Sequence, residues 1–345
     1  MKKNILIAGI GGASLGTEIF KSLKLAGRYN IFGADISPYA YGLYQEGFTK
    51  TYVVDRGKYI QELLNICKKE KIDVIIPGGE EPLILLNQNR KIFQRNGILL
   101  AMNSAKVVEL CTNKIKTFDY LKKKGIPVPV TKLVDNPAQL KNFPYPCVIK
   151  PATRSGGSIF TYLAENEEEA IFFINYLKKR KIKAIVQEYI SDAEGEFTVG
   201  VLHSPWGEFI GSIALKRLFH SKLSVLMKTK DRVISSGYSQ GLIDDFEEVR
   251  EQAKKISELL NNQGPMNIQG RLRNNIFYPF EINPRFSATT YLRAMAGFNE
   301  VDIYLQCLLN QKIPTLGKIK YGYYLRTLDE KFVSFKELKK YDLDY

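Results

Sequence analysis

Histidine is almost missing from this sequence: its 345 residues hold only His203 and His220. That argues against a His-rich metal site and against Ser-His or Cys-His triads, which need an imidazole base. Cysteine is sparse as well. Cys67, Cys111, Cys147 and Cys307 lie far apart with no C-x-x-C pair, so neither a zinc site nor a disulfide framework is expected. A reducing, cytoplasmic setting fits that usage. No apolar run reaches the ~18 residues of a membrane span. The opening MKKNILIA starts basic, but its apolar stretch is too short for a signal peptide, and it reads as a first strand. No internal repeat or low-complexity linker stands out.

What is present is an ordinary globular composition, 45% hydrophobic, with enough length for two or three domains. Lys and Arg number 50 against 36 Asp and Glu, a formal charge of +14. This is a solvated Lys-rich surface or a field that attracts an anionic substrate such as a nucleotide. The bases form no compact run interleaved with aromatics, so nucleic acid is not an expected partner.

Strand and helix patterns alternate through the first hundred residues. NILIAGI, YNIFGADIS, IDVIIPGG and ILLAMNS read as strands, and LGTEIFKSLKLAG, KYIQELLNICKKEK and EPLILLNQNRKIFQRNG as helices. Such a βαβ series predicts a parallel sheet covered by helices. From Ser104 the character changes: helical material, a proline-bearing extended stretch, then strands mixed with two amphipathic helices, ENEEEAIFFINYLKKRK and DDFEEVREQAKKISELLNNQG. The tail YYLRTLDEKFVSF is expected to add a last hairpin.

The segment GIGGASLG resembles a dinucleotide fingerprint, with Asp35 at the end of the second strand, but Ser14 stands at the third glycine position and breaks the match. The loop still presents backbone amides at a helix start. A sharper constellation lies in MNIQGRLRNNIFYPFEINPRF. Glu281 and Asn283 are two apart on a strand and share a face. Gln269, on the preceding strand, joins them if the turn is a three-residue loop at Asn274 to Ile276, or if a bulge intervenes. Arg285 lies just beyond. Three oxygen ligands and one cation suit Mg²⁺ also held by substrate phosphates. Lys150 ends an apolar strand ahead of the glycine-rich Arg154-Ser155-Gly156-Gly157-Ser158, which can cradle phosphates although it is not a P-loop. Gln187, Glu188, Tyr189 and Ile190 can offer backbone groups to an adenine edge, and Glu196 can take ribose hydroxyls.

In this order the segments resemble the ATP-grasp superfamily. NKIKTFDYLKKKGIPVP is similar to its entry segment, and Lys114 and Lys150 match its two nucleotide-contacting basic positions. RSGGS is similar to the phosphate-covering loop, and VQEYI to the adenine hinge, with Glu196 as the ribose acid. GPMNIQGRL and FEINPRFSATT resemble the metal-binding hairpin of the carbamoyl-phosphate synthetase large subunit. The resemblance implies ATP and one or two Mg²⁺ ions (Mn²⁺ as a substitute), held by Gln269, Glu281 and Asn283. It places Arg285 and Arg217 near the transferring phosphoryl group. Many members carry an acid where this chain has Gln269, which lowers the charge of the site.

The implied fold is α/β: an N-terminal Rossmann-like pre-ATP-grasp domain over residues 1–105, then a two-subdomain α+β ATP-grasp fold. Its lid region falls at 106–185 and its central, metal-binding subdomain with C-terminal strands at 186–345. The implied activity is amide formation between a small-molecule carboxylate and an amine through an acyl phosphate. A kinase that keeps only the first half-reaction, a regulatory nucleotide-binding module and, last, a nicotinamide oxidoreductase are the competing readings. Substrate groups are expected from Gly11 to Ser14, from Asp35 to Ser37, from Glu80 and Glu81, and from Phe286 to Gly297. Glu80 holds an amine or merely starts a helix, and Ser287, Thr289 and Thr290 line the acceptor pocket or merely cap one. Oligomeric state is not readable from the residues, although members of the family are often dimers.

Overall fold

The computed structural model describes residues 2–12, 14–153, 160–220, 222–229 and 232–341. The RSGGS loop therefore lies outside the described residues, with its expected contacts at Ser155, Gly156, Gly157 and Ser158. Strands β1 (Lys3–Ala8), β2 (Tyr29–Asp35), β3 (Lys50–Val53), β4 (Val74–Pro77) and β5 (Leu99–Leu100) form a parallel sheet in the order β3-β2-β1-β4-β5. Strand β1 is apolar on both faces, because each face is covered: Ile5 and Ile7 belong to one core, Leu6 and Ala8 to the other. Helices α1 (Leu15–Ala26), α2 (Tyr59–Lys69), α3 (Glu80–Gln88) and α4 (Arg90–Arg95) make the crossovers. The single helix expected over residues 81–97 is two, divided at Asn89.

Helices α5 (Ala105–Cys111) and α6 (Lys114–Lys123) follow. The break between them comes at Asn113, whose side chain accepts from the Lys116 amide and restarts the chain as an N-cap. An antiparallel four-stranded sheet comes next, in the order β6-β9-β7-β8: β6 (Thr131–Val134), β7 (Cys147–Pro151), β8 (Tyr162–Ala164) and β9 (Ala184–Glu188). Helix α7 (Glu167–Lys179) covers it and gives it a core of its own.

The largest sheet is six-stranded and antiparallel, in the order β16-β15-β10-β11-β14-β17. Its strands are β10 (Glu196–His203), β11 (Phe209–Arg217), β14 (Gly241–Ile243), β15 (Pro265–Arg273), β16 (Ile276–Asn283) and β17 (Gly322–Tyr324). A small hairpin, β12 (Val225–Lys228) and β13 (Val233–Ser235), branches from it. Helices α8 (Glu247–Leu259), α9 (Thr290–Met295), α10 (Glu300–Asn310) and α11 (Phe335–Leu338) complete the chain. The expected C-terminal hairpin is instead one edge strand, β17, paired with β14. The chain then returns across the N-terminal sheet, where Tyr341 reaches Thr51 at 2.8 Å.

Alternation decides what the big sheet presents. Phe197, Val199 and Val201 of β10 enter a core with α8. Glu196, Thr198 and Gly200 therefore face the other way. Met266 and Ile268 of β15 join that core, which leaves Asn267, Gln269 and Arg271 beside them on the opposite face. The N-terminal sheet and α1 pack on α9, α10 and part of β11 in one continuous core, which brings the loops after β1 and β4 to the edge of this polar face. The mixed α/β architecture expected from the sequence is the one observed.

Candidate functional site

A cavity of about 580 Å³ separates the four-stranded sheet from the polar face of the six-stranded sheet. Its floor is a grid set by strand register. Thr198, Gln269 and Glu281 form one row across β10, β15 and β16, and Gly200, Asn267 and Asn283 form the next. Gln269 and Glu281 share the face through the second of the two expected devices, a bulge, and not through a three-residue loop. The turn has two residues, Asn274 and Asn275, both left-handed at φ 54° and 59°, as a tight primed turn requires. A bulge at Phe280 supplies the missing residue, since Gly270 pairs with Pro279 and Gln269 with Glu281.

At one end of the cavity, Lys150 reaches from β7 and donates to Gln187 Oε1 at 2.8 Å and to the Phe280 carbonyl at 2.9 Å. Burial, helped by the charge of Lys114, pulls its ammonium down to about 7, against the pull of Glu281. Lys114 begins α6 and also lines the cavity. Gln187, Glu188, Tyr189 and Ile190 border the same end. The Ile190 carbonyl accepts from Arg271 Nη1 at 2.7 Å, while its amide donates to nothing among the described residues.

Glu196, read from the sequence as the ribose acid, lies deep in the cavity wall. It is fully buried, with one oxygen 3.1 Å from Arg217 and the other 2.7 Å from Arg271. Burial acts to raise its carboxyl, but the two guanidiniums outweigh that and hold it below the ordinary value. A ribose hydroxyl would have to share oxygens that two arginines already occupy. Arg217 also donates to Ser235 Oγ at 3.0 Å, Gln269 Oε1 at 3.3 Å and the Ser236 carbonyl, and Arg271 donates to the Val233 carbonyl at 2.6 Å. The pair thus ties the β12–β13 hairpin to the cavity wall. Arg285 Nη2 donates to Asn283 Oδ1 at 3.3 Å. Burial lowers its guanidinium, and Glu281 and Glu80 oppose this.

The other end is lined by Ser14, Gly78, Gly79 and Glu80 from the N-terminal domain and by Ser287 and Thr289. Glu80 is both a cavity residue and the first residue of α3. Glu81 points away, paired at the surface with Arg56 at 3.7 Å. Asp35 is occupied within the glycine loop, accepting from the amides of Ile10 at 2.7 Å and Ser37 at 3.1 Å, so the loop is braced by the acid that a dinucleotide ribose would need. Gly16 is required there because any Cβ would overlap the Gly9 carbonyl oxygen. Thr290 does not line the cavity; its hydroxyl accepts from the Ser287 amide at 3.1 Å and donates to Glu300.

Among the described residues no three His, Cys, Asp or Glu side chains are grouped so that they could hold a metal ion. A cation held by Gln269, Glu281 and Asn283 would meet two amide oxygens and one carboxylate, a low-charge set that suits Mg²⁺ only with phosphate oxygens as further ligands. The cysteines offer no nucleophile, since all four are buried and burial pushes their thiols up to about 11 or 12. His203 is buried against Asn262, and burial lowers it to about 4. The sequence reading missed Thr198, Asn267 and Arg271, which line the cavity. Their signal was the period of two that runs outward from Gln269 and Glu196.

Residues 5–101 match the PylC-like N-terminal domain, and residues 111–289 match the ATP-grasp domain. The carbamoyl phosphate synthase large chain of Clostridium beijerinckii is 26% identical over 278 residues, covering 74% of this chain and 24% of that one. The chain thus spans about a quarter of the curated relatives of that name. Among solved structures, the biotin carboxylase β,γ-ATP complex of Campylobacter jejuni has a TM-score of 0.68 at 16% identity, covering 93% of this chain and 74% of that one. The L-amino acid ligase of Bacillus licheniformis has a TM-score of 0.67 at 17% identity, covering 89% and 74%. These likenesses match the fold, and the domain match over residues 111–289 exceeds half the chain: the protein belongs to the ATP-grasp family, with a PylC-like domain in front.

Proposed function

We propose that the protein is a cytoplasmic ATP-dependent ligase that joins a small-molecule carboxylate to an amine through an acyl phosphate. The observation that carries this reading is the cavity floor, on which Gln269, Glu281, Asn283 and Arg285 stand together between a hinge-and-lysine end and an end built from the N-terminal loops. A regulatory nucleotide sensor would have no use for that set beside the end built from the N-terminal loops.

In this reading Lys150 and Lys114 bind the nucleotide phosphates and the Tyr189–Ile190 segment meets the base. Gln269, Glu281 and Asn283 hold Mg²⁺, which when bound neutralises phosphate charge. Arg285, and Arg217 from the wall, stabilise the charge that develops as a substrate carboxylate oxygen attacks the γ-phosphorus and ADP leaves. An amine then attacks the acyl carbon, phosphate departs, and the proton lost by nitrogen passes to solvent or to Glu80. No protein nucleophile enters, in keeping with the inert thiols and the buried His203. Glu196 is a positioning residue for Arg217 and Arg271.

The test is ADP release from Mg·ATP across a panel of carboxylates, each with and without a panel of amines. Turnover that needs both partners is the expected result. Turnover with a carboxylate alone would favour a kinase, and nucleotide binding without turnover on any pair would favour a sensor.

A further inference from the structure

Behind Thr198 and Asn267 lies a buried ion pair. Arg293, on α9, is fully buried and sits 3.2 Å from Glu300 on α10. Its Nη2 donates to Asn267 Oδ1 at 2.6 Å and to Thr198 Oγ1 at 3.1 Å, and Thr198 in turn donates to the same Asn267 oxygen at 2.8 Å. A guanidinium has donors only, so the atom it meets must be the carboxamide oxygen. The orientation of Asn267 is thereby settled. Its Nδ2 donates to nothing among the described residues, although Asn267 is only 1% exposed and lines the cavity.

Gly200 makes this arrangement sterically accessible. It precedes Asn267 and Asn283 in their row of the floor. A methyl group there would overlap Arg293 Nη1 and stand 2.7 Å from a Glu300 oxygen. The row therefore runs from an absent side chain filled by an ion pair, through a locked carboxamide, to Asn283. A buried charge pair next to a reaction cavity is costly to desolvate, and this one is neutral overall, so it adds direction to the site without adding charge.

We propose that Arg293 is a positioning residue that presents the Asn267 NH₂ as a fixed donor to an oxygen of the carboxylate substrate. This rests on the ligase reading above. It makes the row beside Asn283 select an acceptor oxygen, whether carboxylate or acyl phosphate, and reject a donor such as an ammonium in that place. The amine must then enter from the Glu80 side.

The test uses the full chain, with bicarbonate, formate and glycine as carboxylate probes and ammonia as the amine. Asn267→Asp keeps an oxygen against Arg293 but replaces the donor with an acceptor. Carboxylate-dependent ADP release is expected to fall about 100-fold, the scale of losing one preorganised donor. Mg·ATP affinity should stay within about threefold, because the lost contact is not to the nucleotide. Arg293→Met is expected to lose both stability and turnover. The double variant Arg293→Met/Glu300→Met removes the whole charge pair and should regain thermal stability without regaining turnover, whereas Arg293→Lys should recover part of it. A double variant that regains turnover along with stability would overturn the proposal and leave Arg293 a core residue. A second readout needs no substrate: the ¹⁵N-labelled Asn267 side-chain amide should shift in the double variant, because its carboxamide oxygen loses the guanidinium that polarises it in the native protein. If no probe supports turnover in the native protein, the ligase reading fails, and identical amide signals in the two proteins would separately sink the positioning role.

Discussion

One buried arginine cluster lines the cavity and a second stands behind it, bonded to Asn267 and Thr198, and the two differ in charge. Near the hinge, Arg217 and Arg271 share one carboxylate, Glu196, so three buried groups leave a surplus positive charge. Behind Asn267, Arg293 and Glu300 cancel. A net positive cluster beside a cavity is incomplete until an anion arrives, which is what nucleotide phosphates supply. A neutral pair asks for no ligand and serves a neighbouring neutral side chain. The same residue type thus collects charge at one end and aims a hydrogen bond at the other.

The largest expected effect comes from taking the central carboxylate out of the first cluster. Glu196→Gln leaves two buried guanidiniums facing each other, and should destabilise the chain by about 3–5 kcal/mol, read by chemical denaturation. A loss well below that would mean that water or solvent anions already reach the cluster. Glu281→Ala should leave the fold intact and cut Mg·ATP turnover by several kcal/mol of transition-state charge stabilisation, about 1000-fold in rate. Retained turnover would remove the metal assignment.

Lys150 supplies a pH-dependent version of the contrast. Its ammonium is held down to about 7, and in the proposed function the protonated form is the one that holds phosphates. Nucleotide binding at pH 8 should therefore take up a proton, and affinity should fall as pH rises above about 7. Calorimetry in buffers of different ionisation enthalpy measures that uptake, and Lys150→Met should abolish it. The smallest effect is expected at the surface. Arg232 and Glu165 link the β13 end of the small hairpin to the four-stranded sheet, each about a third exposed. Arg232→Gln should change stability by no more than about 1 kcal/mol, because exposed pairs are screened and cost side-chain entropy.

The alternation in EFTVG and NIQGRL carried more than was read from it. Having placed Gln269 on the polar face, the period of two places Asn267 and Arg271 there as well, and the same holds for Thr198 beside Glu196. What hid them is that buried polar residues and exposed polar residues look alike in one strand, and only the second sheet above them makes the face a cavity floor. Glu196 was readable as a site residue, but not as a carboxylate flanked by Arg217 and Arg271, because the guanidiniums come from strands on either side of it. The bulge at Phe280 was one of two ways to align Gln269 with Glu281, and the paired left-handed asparagines of the turn decide between them.

By itself the sequence determined the parallel N-terminal sheet, the broken glycine fingerprint, and the strand that ends at Asn283 with Arg285 just beyond. These rest on local rules: period, turn chemistry, and the reach of adjacent side chains. Tertiary structure alone decided which polar residues share the cavity, which way Asn267 faces, and that Asp35 braces its own loop. Those outcomes depend on groups far apart in the sequence meeting in a space that excludes water, where no local pattern says which donor meets which acceptor.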